Sequence, residues 1–184
     1  MRKKILLIGA STGGPSQIKE LLQTIQSLSS TIIIMQHMRE EILPFFIKDL
    51  KESLSINVQS TPLFTDFSKP SIIICKESSV IHKKGAMYEI SAESQGQCYT
   101  PDINKFLNTF VPYVNDFDTN VLIMTGIGDD GVSGAQKLKE KGAKVFAQDE
   151  SSSPVYGMPK AAFERGIVDK VKSFDEIKEY FRGL

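Results

Sequence analysis

Four short apolar runs, at residues 5–8, 31–35, 121–124 and 144–147, are separated by segments whose apolar residues recur at helical spacing. Continuous rather than alternating apolar character marks strands covered on both faces, the habit of parallel sheets. Between the first two runs, Ile18, Leu21, Leu22, Ile25 and Leu28 fall three or four apart. That spacing predicts an amphipathic helix over residues 15–28 with Pro15 in its first turn. A second helix is expected over residues 40–54, beginning properly near Pro44. Strand, helix, strand, helix is the opening of a doubly wound fold.

Residues 56–100 change texture. β-Branched runs at 71–75, 80–82 and 87–90 stand between Gly, Ser and Lys clusters, which predicts antiparallel hairpins rather than another βαβ unit. Asp102 is placed to cap a helix running to Val114, disturbed at Pro112. The strand at 121–124 leads into the turn Gly126-Ile-Gly-Asp-Asp-Gly131 and a helix to about Lys141, closed by Gly142. A strand at 144–148, a loop at 149–154, a short helix from Pro159, a strand at 167–171 and a helix from Ser173 complete the chain. The expected fold class is α/β, a doubly wound, mostly parallel sheet with helices on both faces and antiparallel hairpins near residues 56–100. Neither a repeat nor a linker divides the chain, so residues 1–184 read as one domain.

Composition narrows the function. Twenty-two basic and 22 acidic side chains leave a net charge of zero, so no global attraction to nucleic acid or anionic membrane is expected. Cys75 and Cys98 stand apart from each other and from any His-rich neighbour, which argues against a zinc site or a disulfide framework and for a reducing, cytoplasmic compartment. The start, Met1-Arg-Lys-Lys, mimics a signal peptide, but the apolar run from Ile5 to Ala10 is too short for a leader or a membrane span. Neither membrane insertion nor a metal or cofactor is expected.

In an open parallel sheet the loops at the carboxyl ends of the strands converge on the ligand crevice. Three such ends carry reactive side chains here: Gly9-Ala-Ser11-Thr-Gly13-Gly14, Met35-Gln-His37-Met, and Gly126-Ile-Gly-Asp129-Asp130-Gly131. Gly9-x-Ser11-x-Gly13 has the form of a nucleophile elbow. A serine needs a histidine to take its proton and a carboxylate to orient that histidine, and His37 and Asp130 are the candidates. The same residues 9–14 also fit a Rossmann-like nucleotide-binding turn, with Ser11 in place of the middle glycine. Against that stand Ser11 itself and Gln36-His37, where an acidic ribose partner belongs. His82 reads as a solvated or loop residue beside Lys83 and Lys84, and the pair Asp129-Asp130 as a metal site or a helix N-cap, with the lack of ligand-spaced partners nearby arguing against metal.

Taken together, Ile8-Gly-Ala-Ser-Thr-Gly-Gly14, Gln36-His-Met38, Met124-Thr-Gly-Ile-Gly-Asp-Asp-Gly131 with Gly134, and Gln148-Asp-Glu-Ser151 continuing to Val155-Tyr-Gly-Met-Pro159 resemble the catalytic domain of the bacterial chemotaxis protein-glutamate methylesterases, the CheB type. The resemblance implies hydrolysis of glutamate methyl esters on the cytoplasmic helices of methyl-accepting chemotaxis receptors, often with deamidation of receptor glutamines. It makes Ser11 the nucleophile, His37 the base, Asp130 the orienting acid and the Thr12 backbone N–H the oxyanion donor. The family usually has a phosphorylatable receiver domain ahead of this one, whereas this chain starts at the first catalytic strand, so a single catalytic domain is expected. It also differs from the family at Ile74-Cys-Lys-Glu-Ser-Ser79, where Ala-Pro-Gly and a histidine are common, and at Tyr99-Thr-Pro-Asp102, where a basic residue is usual. The segment Gly126-Ile127-Gly128-Asp129 also stands where a methionine and an asparagine are common. An acidic receptor helix would be met by shape or by a local basic patch, for which Lys69, Lys76, Lys83 and Lys84 are candidates unless they are merely solvated.

Overall fold

The computed structural model describes residues 2–93 and 100–184. Cys98 therefore lies outside the described residues, as do Tyr99 and the end of the expected hairpin region. Seven parallel strands form the main sheet in the order β10-β9-β8-β1-β2-β5-β3. In chain order these are β1 (Lys4–Ala10), β2 (Thr31–Gln36), β3 (Val58–Ser60), β5 (Ile72–Ile74), β8 (Asp118–Ile123), β9 (Lys144–Gln148) and β10 (Lys170–Lys172). Every residue of β2 is buried, and so is every residue of β1 from Ile5 onward, which is why their apolar runs show no alternation.

The period of two survives in which core each side chain joins. Leu6, Ile8, Ile32, Ile34 and Leu122 pack with α1 (Gly14–Gln23), α2 (Leu43–Ser53) and α6 (Phe174–Arg182). Ile5, Leu7, Ile33, Val121 and Ile123 pack on the opposite face with α3 (Ile103–Phe110), α4 (Val132–Glu140) and α5 (Met158–Glu164). That second face also receives a small antiparallel sheet, β4 (Leu63–Thr65), β7 (Met87–Ala92) and β6 (Ser79–Lys84), in the order β4-β7-β6. Ile81, Tyr88 and Ile90 are its contribution to the core.

Three expectations are corrected in detail. The run at 71–75 is no hairpin strand: β5 lies parallel to both β2 and β3 in the main sheet, with Ile33 opposite Ile73. Helix α1 stops at Gln23, where the Thr24 hydroxyl donates to the Leu21 carbonyl at 2.7 Å, yet Ile25 and Leu28 still pack on its core and so prolong the apparent period. Helix α3 ends at Phe110 and continues as a 3-10 turn, Val111–Asp116, with Pro112 near its start. Asp102 caps α3 as its position suggests, accepting from the Lys105 N–H at 2.7 Å. Among the described residues no helix is long and apolar enough to cross a membrane.

Candidate active site

Strands β1 and β2 are paired in register as far as Ala10 opposite Gln36, so Ser11 and His37 occupy the next position along. The His37 N–H still donates to the Ala10 carbonyl at 2.9 Å. On the other side of β1 the Ser11 N–H donates to the Thr125 carbonyl at 2.9 Å, just beyond the end of β8. Ser11 is thus held between two strand ends and is only 9% exposed.

After Ser11 the chain must turn at once into α1. Gly13 makes the turn with φ 83°, and a Cβ there would stand 2.7 Å from the Pro154 ring, so both the backbone and the space require glycine. The Thr12 hydroxyl group aside, the peptide groups of this turn are its chemistry. Ser11 N–H is used by Thr125, Gly14 N–H donates to the Ser11 carbonyl at 2.8 Å, and among the described residues nothing accepts from the Thr12 or Gly13 N–H. Thr12 is exposed.

Asp130 follows β8 on the turn before α4. Its Oδ2 accepts from His37 Nε2 at 2.8 Å and from the Ile103 N–H at 2.9 Å, and its Oδ1 accepts from the Asn104 N–H at 2.9 Å and the Gly131 N–H at 2.8 Å. Burial pushes this carboxyl upward, but the His37 bond and the two N–H groups at the start of α3 outweigh it and hold it below the ordinary aspartate value. An ionised carboxylate only accepts, so Nε2 of His37 carries the proton of this bond. Nδ1, on the opposite edge of the ring, is buried. The His37 and Asp130 side chains are 7% and 14% exposed, a setting in which their mutual attraction is little screened.

The loops above this pair are fitted closely to it. A Cβ on Gly126 would fall 2.6 Å from the Ser11 Cβ and 2.4 Å from the Met158 sulfur. Gly157 passes so near Gly126 that a Cβ would stand 2.4 Å from its carbonyl. Thr125 ties the layers together: its hydroxyl donates to the Thr12 carbonyl at 2.7 Å and accepts from the Val155 N–H at 3.0 Å, while its N–H donates to Gln148 Oε1 at 3.1 Å. Gln148 Nε2 in turn holds the Ser152 carbonyl at 2.8 Å.

The structure places Ser11, His37 and Asp130 at the ends of neighbouring strands on one edge of the sheet, with His37 bonded to Asp130 and Thr12 next to Ser11, and leaves other candidates elsewhere. Asp129 is exposed, and His82 is exposed on β6 opposite Glu89. Lys83 pairs with Asp116 at 2.7 Å and Lys84 with Glu89 at 2.6 Å, so these two lysines are matched by local acids, whereas Lys69 and Lys76 are exposed. Sequence reasoning missed Gln36, Thr125, Gln148 and the start of α3 as parts of the site. The first three each close an apolar run and fall within the motifs that carry the family resemblance, but neither cue assigns them a role.

The fold is a parallel α/β sheet whose central strand ends carry a serine, a histidine and the half-buried carboxylate to which that histidine is hydrogen-bonded. The chain belongs to the CheB methylesterase family, whose model matches residues 6–181. Among relatives, it is 33% identical over 183 residues to a protein-glutamate methylesterase/protein-glutamine glutaminase of Lawsonia intracellularis, covering 97% of this chain and 51% of that one. A second relative of the same description, from Geobacter metallireducens, is 34% identical over 181 residues, covering 95% and 49%. The chain thus spans about half the length of the curated relatives it matches. Its fold superimposes on the CheB methylesterase catalytic domain of Thermotoga maritima with a TM-score of 0.85 at 24% identity, over 98% of both chains. The nucleotide-binding reading of residues 9–14 finds no support in these comparisons.

Proposed function

We propose that this domain is a serine-dependent protein-glutamate methylesterase acting on methyl-accepting chemotaxis receptors in the cytoplasm, with glutamine deamidation as a second reaction of the same site. The observation that carries it is the 2.8 Å bond from His37 to Asp130, made beside Ser11 at the end of β1. Asp130 fixes the ring through Nε2, so His37 uses Nδ1 to take the Ser11 proton as Oγ attacks the γ-carbonyl of a glutamate methyl ester. The Thr12 N–H, at the start of the turn into α1, stabilises the oxyanion, a contribution of about 3 kcal/mol where such donors have been removed. His37 then protonates the departing methanol. Water, deprotonated by the same nitrogen, hydrolyses the acyl-enzyme and releases the receptor glutamate. For a glutamine substrate the leaving group is ammonia and the remaining steps are the same.

The relatives' printed names support both activities, and residues 1–184 are read as one catalytic domain. The test is methanol release from receptor membranes carrying labelled methyl esters. Wild type should release it, and Ser11→Ala should lose about 10⁶-fold in turnover, because triad members act as a unit. Equal release by the two proteins would refute the serine mechanism.

A further inference from the structure

Gln36 is the last residue of β2 and is 1% exposed. Its Nε2 donates to two carbonyls at once, Ser11 at 2.9 Å and His37 at 2.8 Å, which uses both amide hydrogens. With two carbonyl oxygens on that side the amide can stand only one way round, since the flipped group would set oxygen against oxygen. Oε1 points away into a buried space with no hydrogen-bond donor among the described residues. That space exists because residue 14 is glycine: a Cβ there would lie 2.1 Å from Gln36 Oε1. Gly14 has no left-handed φ, so it is room for the amide and not backbone freedom that the position supplies.

We infer that Gln36 is a positioning residue for the oxyanion donor, an inference that rests on the esterase reading above. In a trans peptide the C=O of one residue and the N–H of the next point in opposite directions. Gln36, together with the Gly14 N–H, holds the Ser11 carbonyl into the protein and thereby turns the Thr12 N–H outward to the exposed side of the turn. The second hydrogen of the same amide holds the peptide of His37, so one side chain sets the separation of the oxyanion peptide from the base. His37 keeps its ring bond to Asp130 and its N–H bond to Ala10 without Gln36, so loss of the amide falls chiefly on the Thr12 peptide.

The experiment uses a small p-nitrophenyl ester and a serine-reactive phosphonate on the purified chain, with thermal unfolding run in parallel. Gln36→Met keeps the volume and removes the donor. It should lower kcat and the rate of Ser11 labelling by about 10- to 100-fold, since errors near 1 Å in placement cost on that order. KM should stay within about twofold and the pH profile should not move, because the His37–Asp130 bond is untouched. Gln36→Glu, isosteric but presenting oxygen to both carbonyls, should be no better than Gln36→Met. Gly14→Ala reaches the same amide from outside and should show the same split of kcat from KM, which keeps the idea testable where Gln36→Met does not fold. Wild-type kcat in folded Gln36→Met or folded Gly14→Ala, or a displaced pH profile, would overturn the role of Gln36. A wild-type chain that neither turns over the ester nor is labelled at Ser11 would instead refute the esterase reading.

Discussion

Asp130 accepts from four N–H groups, three of them backbone, and this fixes what a substitution can do. Asparagine keeps the shape but offers one oxygen and an amide that donates, so it cannot orient the histidine and accept from the start of α3 as well. In the methanol-release assay Asp130→Asn should lose about 10³- to 10⁴-fold, the scale seen when a triad carboxylate is neutralised, and the exposed Asp129→Asn less than about tenfold. The reverse order would overturn the assignment of the acid. Stability carries the same signature. A carboxyl whose folded pKa lies below its unfolded value of about 3.9 contributes stability that is fully present above that value and is lost as pH falls through the folded one. The gap in urea-unfolding stability between wild type and Asp130→Asn should therefore be open at pH 7 and close as pH falls below about 4.

Helix α3 matters to the site by its first turn alone. Two N–H groups that no intrahelical carbonyl can reach, those of Ile103 and Asn104, are given to Asp130, and the third residue in, Lys105, donates to the cap Asp102. Asp102→Ala should cost about 1 kcal/mol in urea unfolding and also lower ester turnover, because it frays the turn that grips Asp130. Helix α6 is the control. Its capping box, in which Ser173 accepts from Glu176 and Glu176 returns the bond, lies far along the chain on the other face of the sheet. Ser173→Ala should cost a similar amount of stability and leave turnover within about twofold, as measured in the same two assays. Part of this arrangement is legible in the sequence. Ser11, His37 and Asp130 could be grouped because each follows an apolar run, and parallel strands deliver such positions to one edge. Asp102 could be named as a cap because its type and place before a helical period are local facts. The run of three isoleucines in β5 could not be assigned to a sheet, since so short a segment has no period to read. Gln36 and Gln148 could not be assigned roles because the carbonyls they bond belong to strands and loops remote in sequence.

Across the molecule, both faces of the sheet are sealed and charge is balanced locally, as at Lys83 with Asp116 and Lys139 with Asp169. Net neutrality is in part the sum of such short-range matches. Exposed pairs of this kind contribute little each, so the fold stands on its two apolar clusters. Cys75, at the carboxyl end of β5, is fully buried, and burial pushes its thiol up to about 12. In a Cys98→Ser background, Cys75 should resist a thiol reagent in the native state and react only along the unfolding transition. Labelling in native buffer would show that the sheet opens locally at β5.

His37 and Asp130 are 93 residues apart in sequence, with β3 to β8 and α3 among the elements between them. At ~5–20 residues per second, a ribosome therefore needs about 5–20 s after making His37 before it makes Asp130. During that interval the emerging chain holds Ser11 and His37 without the carboxylate that His37 bonds in the folded protein. The His37–Asp130 bond is in this way a late product of translation, formed only when Asp130, beyond β8, has been made and β8 is laid beside β1.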